Sequence, residues 1–346
     1  MRIDINNERI SSPPLSGVAI EPTNLCNLQC KICFSQNPVL YRPRKKGLMD
    51  WKLYVKLIDE LSNFGYAINL GLNFGGESML HSKFLDMVKY AASKEAFRIG
   101  FTTNGVLLND NASQVLVDYE INNITISLDG VYKRHESIRI GSNYNVVKNN
   151  IIDLVKKRGN KAYPKIMVNL IESEHTSHDI TEFIKSWIYI VDCVRIYPCL
   201  SEELRIINPR FFDKFPIIKN KYCKRPFHYL GVLWNGDVTA CCHDINGINI
   251  LGNVASQRIL DVWKGEKFRE LRKAALINNF PSQYICQKCN AWQTEFLLSS
   301  QRQGMMELRS SGLCKAYKPI AKVWMNNIRN LRILRYIKAK VSKILR

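Results

Sequence analysis

Between residues 17 and 198, short β-branched runs alternate with longer stretches whose apolar residues recur at helical spacing. Six runs read as strands: "GVAIEP" (17–22), "AINLGLN" (67–73), "RIGFTTN" (98–104), "NITISLD" (123–129), "KIMVNLI" (165–171) and "VDCVRIYP" (191–198). Between them, one helix is expected to start at Asp50 as N-cap and run through "WKLYVKLIDELSNF" to Gly65 as C-cap. Others are expected near 82–93, 110–119, 143–157 and 179–190. Strands alternating with helices form parallel sheets, because a right-handed crossover helix is the short way back to the same edge. The expected fold is therefore α/β, a partial (β/α)6 TIM-like barrel. In such a barrel the loops after the strand C-termini build the site.

After Pro198 the alternation stops. Residues 201–222 read as a connector, and "YLGVLWNGDVTACC" as a β-hairpin turning at Asn235-Gly236. A helical stretch over about 257–277 and "CQKC" at 286–289 follow. The expected organisation is an N-terminal extension (1–16), the partial barrel (17–200), a small hairpin-and-helix domain (201–300) and a basic tail (301–346).

The chain has 346 residues and is long enough to bury a full core. No run of eighteen apolar residues marks a membrane span. The opening "MRIDINNERISSPPLSG" lacks the basic-then-apolar order of a secretory signal, so a cytoplasmic location is expected. Eleven cysteines in that reducing compartment point to metal ligands or reactive thiols rather than disulfides. The six histidines form no recognisable triad, so ordinary hydrolytic chemistry has no constellation here. The net charge of +20 is partly concentrated at the end, with ten Lys or Arg and no acid from Lys315 onward. Such a balance favours polyanions or anionic membrane surfaces and says nothing about fold.

The loop after the first strand, "CNLQCKICF", places Cys26, Cys30 and Cys33 at C-x3-C-x2-C spacing. A [4Fe–4S] cube takes four thiolates, one per iron, so three leave one iron open to another ligand. A zinc site completed from elsewhere is the competing reading.

With these cysteines the chain resembles the radical S-adenosylmethionine enzymes. The resemblance implies that the open iron chelates the amino and carboxylate groups of S-adenosylmethionine. One electron then breaks the sulfonium bond to the 5′ carbon, and the 5′-deoxyadenosyl radical takes a hydrogen atom from substrate. Three stretches match the family in order. In "NFGGES", Gly75-Gly76-Glu77 resembles the motif that receives the cofactor's ammonium group, where two glycines let backbone approach the ligand. "TTNG" contributes Thr103 and Asn104, and "SLDG" places Ser127 where the family contacts ribose or carboxylate. Arg139, in "SIRIGSN", is the candidate partner of the methionine carboxylate. The family often has an aromatic residue before the third cysteine; here it is Ile32, which leaves the adenine contact open.

A second cysteine set comprises Cys223, Cys241-Cys242, Cys286 and Cys289. The spacing from Gly236 to Cys241, with "LGNV" and "ILDVW" after it, resembles the SPASM and Twitch extensions of the family. By that resemblance Cys223, Cys241, Cys286 and Cys289 hold one auxiliary [4Fe–4S] cluster. Cys241 is chosen over Cys242. A zinc ribbon suits the same spacing.

The expected reaction is oxidation of a carbon bearing a hydroxyl or amine in a sugar, cyclitol or glycan precursor, with the auxiliary cluster accepting an electron. A reductant such as flavodoxin or ferredoxin would supply the first electron. Epimerisation or peptide modification is the alternative, with Cys199 beyond the sixth strand as the hydrogen donor. An alternative of another class is a non-catalytic iron–sulfur or zinc protein that binds RNA through its tail. It leaves the three matching stretches without a purpose, so nucleic acid is not the expected partner. From Ile320 on, Trp324, Ile328, Leu331, Leu334, Ile337, Val341 and Ile344 form one apolar stripe on a basic helix. That helix either docks on the barrel or rests peripherally on anionic lipid.

Overall fold

A computed structural model describes residues 10, 12–33, 44–173, 175–198 and 222–289. Cys199, most of the expected connector and the basic tail lie outside the described residues.

The six expected strands are present as β1 (Gly17–Ile20), β3 (Ile68–Gly71), β4 (Phe97–Thr103), β5 (Asn123–Ser127), β7 (Lys165–Glu172) and β8 (Cys193–Pro198). Each pairs in parallel with the next, as in Val18 opposite Leu70, Leu70 opposite Ile99, Thr103 opposite Ile126, Ile126 opposite Val168 and Val168 opposite Val194. Strand residues alternate between faces. Ile124, Ile126, Val168, Leu170, Val194 and Ile196 lie on one face and are buried in the common core. Thr125, Ser127, Asn169 and Arg195 occupy the other. Two further strands, β2 (Gln29–Cys30) and β6 (Arg139–Ile140), form a separate antiparallel pair.

The crossover helices are α1 (Trp51–Ser62), α2 (Phe84–Ala92), α3 (Asp110–Asp118), α5 (Tyr144–Arg158) and α6 (Ile180–Trp187), with a short α4 (Lys133–Ile138) between β5 and β6. Asp50 caps α1 as expected, its carboxylate accepting from the Lys52 and Leu53 amides at 2.8 and 3.2 Å. Such a cap contributes about 1 kcal/mol. The helix turns Tyr54, Leu57, Ile58 and Leu61 inward at three- and four-residue steps. It stops at Ser62, and Gly65 takes the left-handed conformation that leads the chain away.

The hairpin is β9 (Tyr229–Val232) and β10 (Asp237–Thr239), with Gly236 in the left-handed region at its turn. β9 does not stand apart from the barrel. It pairs in parallel with β1, so one nine-stranded sheet runs in the order β11-β10-β9-β1-β3-β4-β5-β7-β8, where β11 is Gly252–Asn253. The expected single helix near 257–277 is two, α7 (Ile259–Lys264) and α8 (Glu266–Ile277), broken at the extended Gly265. Among the described residues, no helix is long and apolar enough to cross a membrane.

Candidate metal centres and cofactor site

β1 ends at Ile20 and delivers Glu21 to Leu25 toward Cys26. This approach is stitched to the chain's return at 45–49: Thr23 Oγ1 donates to the Gly47 carbonyl at 2.7 Å, Asn24 Nδ2 to the Lys45 carbonyl at 2.9 Å, and the Met49 amide to the Pro22 carbonyl at 2.8 Å. Cys30 lies in β2 opposite Arg139 of β6, which presses the cysteine loop against the loop beyond β5.

The Gly-Gly-Glu segment packs directly on that loop. The Glu77 amide donates to the Leu25 carbonyl at 2.7 Å. A side chain on Gly76 would meet the carbonyls of Leu25 at 2.3 Å and Thr23 at 2.6 Å, so only glycine fits. The buried Glu77 carboxylate accepts from Thr103 Oγ1 at 2.9 Å, the Asn104 amide at 2.7 Å and the Met79 amide at 3.3 Å. Burial raises its pKa, and these hydrogen bonds work against the rise. Asn104 Nδ2 in turn donates to Asn27 Oδ1 at 2.8 Å, inside the cysteine loop. Glu77, Thr103 and Asn104 thus join the ends of β3 and β4 to the thiol loop.

Arg139 comes to the same place. Its Nη2 is 2.7 Å from Asp129 Oδ2 and its Nη1 3.8 Å from Cys30 Sγ. Asp129 is fully buried and accepts from the Ile171 amide at 2.9 Å. Burial opposes the Arg139 charge, but Asp129 and then Cys30 outweigh it and hold the guanidinium above its ordinary pKa. Ser127 ends β5, buried and in register with Asn169. Sequence reasoning missed Asp129 and Glu21; the one signal available was a carboxylate just past the end of a strand.

The three thiols share one patch. Burial raises Cys26 and drives Cys30 up to about 11, and each feels the charge of Cys33. A bound metal cation reverses that preference and deprotonates them. At the second set, Cys241 follows β10, Cys286 lies within a 3-10 turn at Ile285–Lys288, and Cys289 follows that turn. Burial pushes Cys286 up to about 12, with Cys289 and Cys223 adding. Cys241 is raised, first by its hydrogen bond with Cys242 and then by burial, with Arg225 opposing and Cys223 adding. Cys242 is held below the ordinary thiol range, first by its hydrogen bond with Cys241 and further by Arg225, whose Nη1 lies 2.6 Å from its sulfur. Among the described residues, no three His, Cys, Asp or Glu side chains already stand in metal-ligand geometry. The donor sets still fit iron–sulfur clusters: three soft sulfur donors at one site and four at the other, without a histidine or carboxylate in either. Cys193 is buried within β8.

The model of the radical SAM superfamily matches residues 20–184, and that of the SPASM iron–sulfur cluster-binding domain matches residues 223–290. The chain carries a radical SAM domain followed by a SPASM domain. Its radical SAM and SPASM domains imply a [4Fe–4S] cluster, an auxiliary cluster and S-adenosylmethionine. The chain is 24% identical over 314 residues to the tungsten-containing aldehyde ferredoxin oxidoreductase cofactor-modifying protein of Pyrococcus furiosus, spanning 78% of this chain and 86% of that one. It is 24% identical over 279 residues to the S-adenosyl-L-methionine-dependent 2-deoxy-scyllo-inosamine dehydrogenase of Niallia circulans, spanning 80% and 92%. The solved structure of anSMEcpe with bound AdoMet superposes with a TM-score of 0.60 at 16% identity, over 94% of this chain and all of that one, a likeness of fold.

Proposed function

We propose that this radical SAM protein is an oxidoreductase that converts a hydroxyl- or amine-bearing carbon of a sugar, cyclitol or glycan precursor to the ketone level. When bound, the cofactors supply hydrogen-atom abstraction by a 5′-deoxyadenosyl radical and a one-electron acceptor. Cys26, Cys30 and Cys33 hold the first cluster. The backbone of Gly75 and Gly76 faces the ammonium group of S-adenosylmethionine, and Ser127 its ribose. Arg139 compensates negative charge at the thiol loop from its pair with Asp129, a role closer to its position than the carboxylate contact expected from sequence. Cys223, Cys241, Cys286 and Cys289 hold the auxiliary cluster.

The observation that carries the oxidative reading is the completeness of the second thiol set. Cys286 feels Cys289 and Cys223, and Cys241 feels Cys223, so four thiols are available to one cluster, which would leave no corner for substrate. The likeness to an aminocyclitol dehydrogenase over most of both chains supports the same reading. The test is turnover of an aminocyclitol and sugar panel by anaerobically reconstituted protein. Oxidised product equal to 5′-deoxyadenosine without external oxidant is expected. Solvent deuterium entering an otherwise unchanged carbon overturns the proposal in favour of epimerisation.

A further inference from the structure

Glu21 follows β1 directly, and its side chain is fully buried. Its carboxylate gathers donors from three parts of the chain. Arg44 gives Nη1 to Oε2 at 2.9 Å and Nη2 to Oε1 at 2.7 Å. The Gly75 amide donates to Oε1 at 3.1 Å, and the Trp234 amide, in the hairpin turn, to Oε2 at 3.1 Å. The third donor of Arg44, Nε, reaches the Ile245 carbonyl at 2.7 Å. The Trp234 indole donates to the Lys45 carbonyl at 3.1 Å, and its ring fills the space where a side chain on Gly47 would be.

Ile245 lies in the loop that follows Cys241 and Cys242. Its neighbour Asp244 accepts from the Ile248 and Asn249 amides, both at 2.8 Å. Asn249 Nδ2 points to Cys286 Sγ at 3.7 Å, and Asn249 Oδ1 accepts from the Ile285 amide at 3.4 Å. A continuous run of contacts thus joins Cys286 to Asn249, Asp244, Ile245, Arg44, Glu21 and the Gly75 amide. Its central link is a two-pronged guanidinium–carboxylate pair, which fixes geometry as well as adding energy. Because that pair is buried, breaking either half leaves an uncompensated charge, so the link resists stretching. Gly75 is held as closely: a side chain there would lie 2.8 Å from Glu21 Oε1.

We propose that Glu21 and Arg44 are positioning residues that couple the auxiliary site to the S-adenosylmethionine site. Filling the Cys223–Cys289 set fixes the loop at Ile245. Through Arg44 and Glu21, that loop fixes the backbone of Gly75 and Gly76. The coupling rests on the reading of these two glycines as the contact for the cofactor's ammonium group.

The experiment is a double-mutant cycle on the full-length chain, reconstituted without oxygen. The proteins are the wild type, Cys286→Ser/Cys289→Ser to empty the auxiliary site, Arg44→Lys, and the combination. The readout is the dissociation constant for S-adenosylmethionine, taken from its effect on the EPR spectrum of the reduced N-terminal cluster, alongside iron content and circular dichroism. Emptying the auxiliary site is expected to weaken binding about 5- to 10-fold in the wild-type background and less than about twofold once Arg44 is lysine, since coupled sites share one free energy. If Arg44→Lys fails to fold, Glu21→Gln takes its place in the same cycle. Equal weakening in both backgrounds, or none in either, overturns the coupling alone. A wild-type cluster spectrum indifferent to S-adenosylmethionine overturns the functional reading beneath it as well.

Discussion

A Cβ on Gly76 would press on two backbone carbonyls, Leu25 and Thr23, rather than on the movable end of a side chain. Gly76→Ala must therefore part the Gly-Gly-Glu segment from the approach to Cys26. The expected outcome is loss of the EPR response to S-adenosylmethionine with iron at the second set retained; an unchanged response refutes it. From the sequence, Gly76 reads as a place where backbone approaches a ligand. Its tighter constraint, the thiol loop behind it, needs a contact between residues some fifty positions apart in sequence. His135 offers a second test. The ring is fully buried, with Nε2 2.8 Å from Ser142 Oγ, and burial pushes its pKa from 6.5 down to about 3. The unfolded chain binds this proton near 6.5 and the folded chain does not. The contribution of His135 is thus complete above about pH 6.5 and is lost as pH falls toward 3, with a slope approaching about 1.4 kcal/mol per pH unit. Glu77, raised by burial, acts in the opposite sense above its ordinary value of 4.5. Comparison with His135→Gln isolates the histidine. Urea midpoints at pH 7.5, 6.0 and 5.0 should fall more steeply in the wild type; equal slopes overturn the assignment.

At the scale of elements, the six parallel strands and their crossover helices are legible because each buries a face with its own period, as Tyr54, Leu57, Ile58 and Leu61 do on α1. What is not legible depends on partners rather than on period. β2 and β6 are two residues each, too short to carry a pattern, and exist because Cys30 and Arg139 meet. "YLGV" looks like half of a free hairpin until β1 is seen beside it. Arg272 reads as one more charge on an amphipathic helix. Yet it is fully buried in α8, donating to the carbonyls of Pro226 at 2.8 Å, Ile10 at 3.0 Å and Trp263 at 2.8 Å, and lying 4.2 Å from the Trp263 ring. Burial lowers its pKa to about 10, which leaves it charged at neutral pH. The arginine closes the SPASM helices onto the start of the chain. Arg272→Met would strand three buried carbonyls and remove a stacked cation, at a cost of about 3 kcal/mol or more. A clear drop in the calorimetric midpoint, with faster hydrogen exchange in α7 and α8, is expected. A midpoint within about a degree of wild type would place Arg272 outside the stabilising core.

Across the whole molecule, the chemistry-bearing residues are legible where they are local in sequence, as three cysteines within eight positions and three further motifs in barrel order are. The charged pairs that hold the motifs together are not, because Glu21 finds Arg44 and Trp234, and Asp129 finds Arg139, only after the sheet has formed. Neighbouring Cys241 and Cys242 show the same limit. Spacing favours Cys241 by family likeness; in three dimensions the two thiols hydrogen-bond each other and both feel Arg225, whose Nη1 lies 2.6 Å from Cys242, while Cys241 also feels Cys223. An arginine contact does not by itself decide between them, since Cys30 accepts from Arg139 as well, so the assignment of Cys241 rests on spacing and is read out by iron content. If each cluster contributes four irons, the wild type should carry about eight irons per chain after anaerobic reconstitution. Cys241→Ser should fall to about four, as should Cys286→Ser, while Cys242→Ser should stay near eight. Removing Cys26, Cys30 and Cys33 together should also leave about four irons, now with no EPR response to S-adenosylmethionine. Iron lost with Cys242→Ser and kept with Cys241→Ser would exchange the two assignments. Zinc in place of iron at the second set would remove the electron acceptor on which the oxidative reading depends.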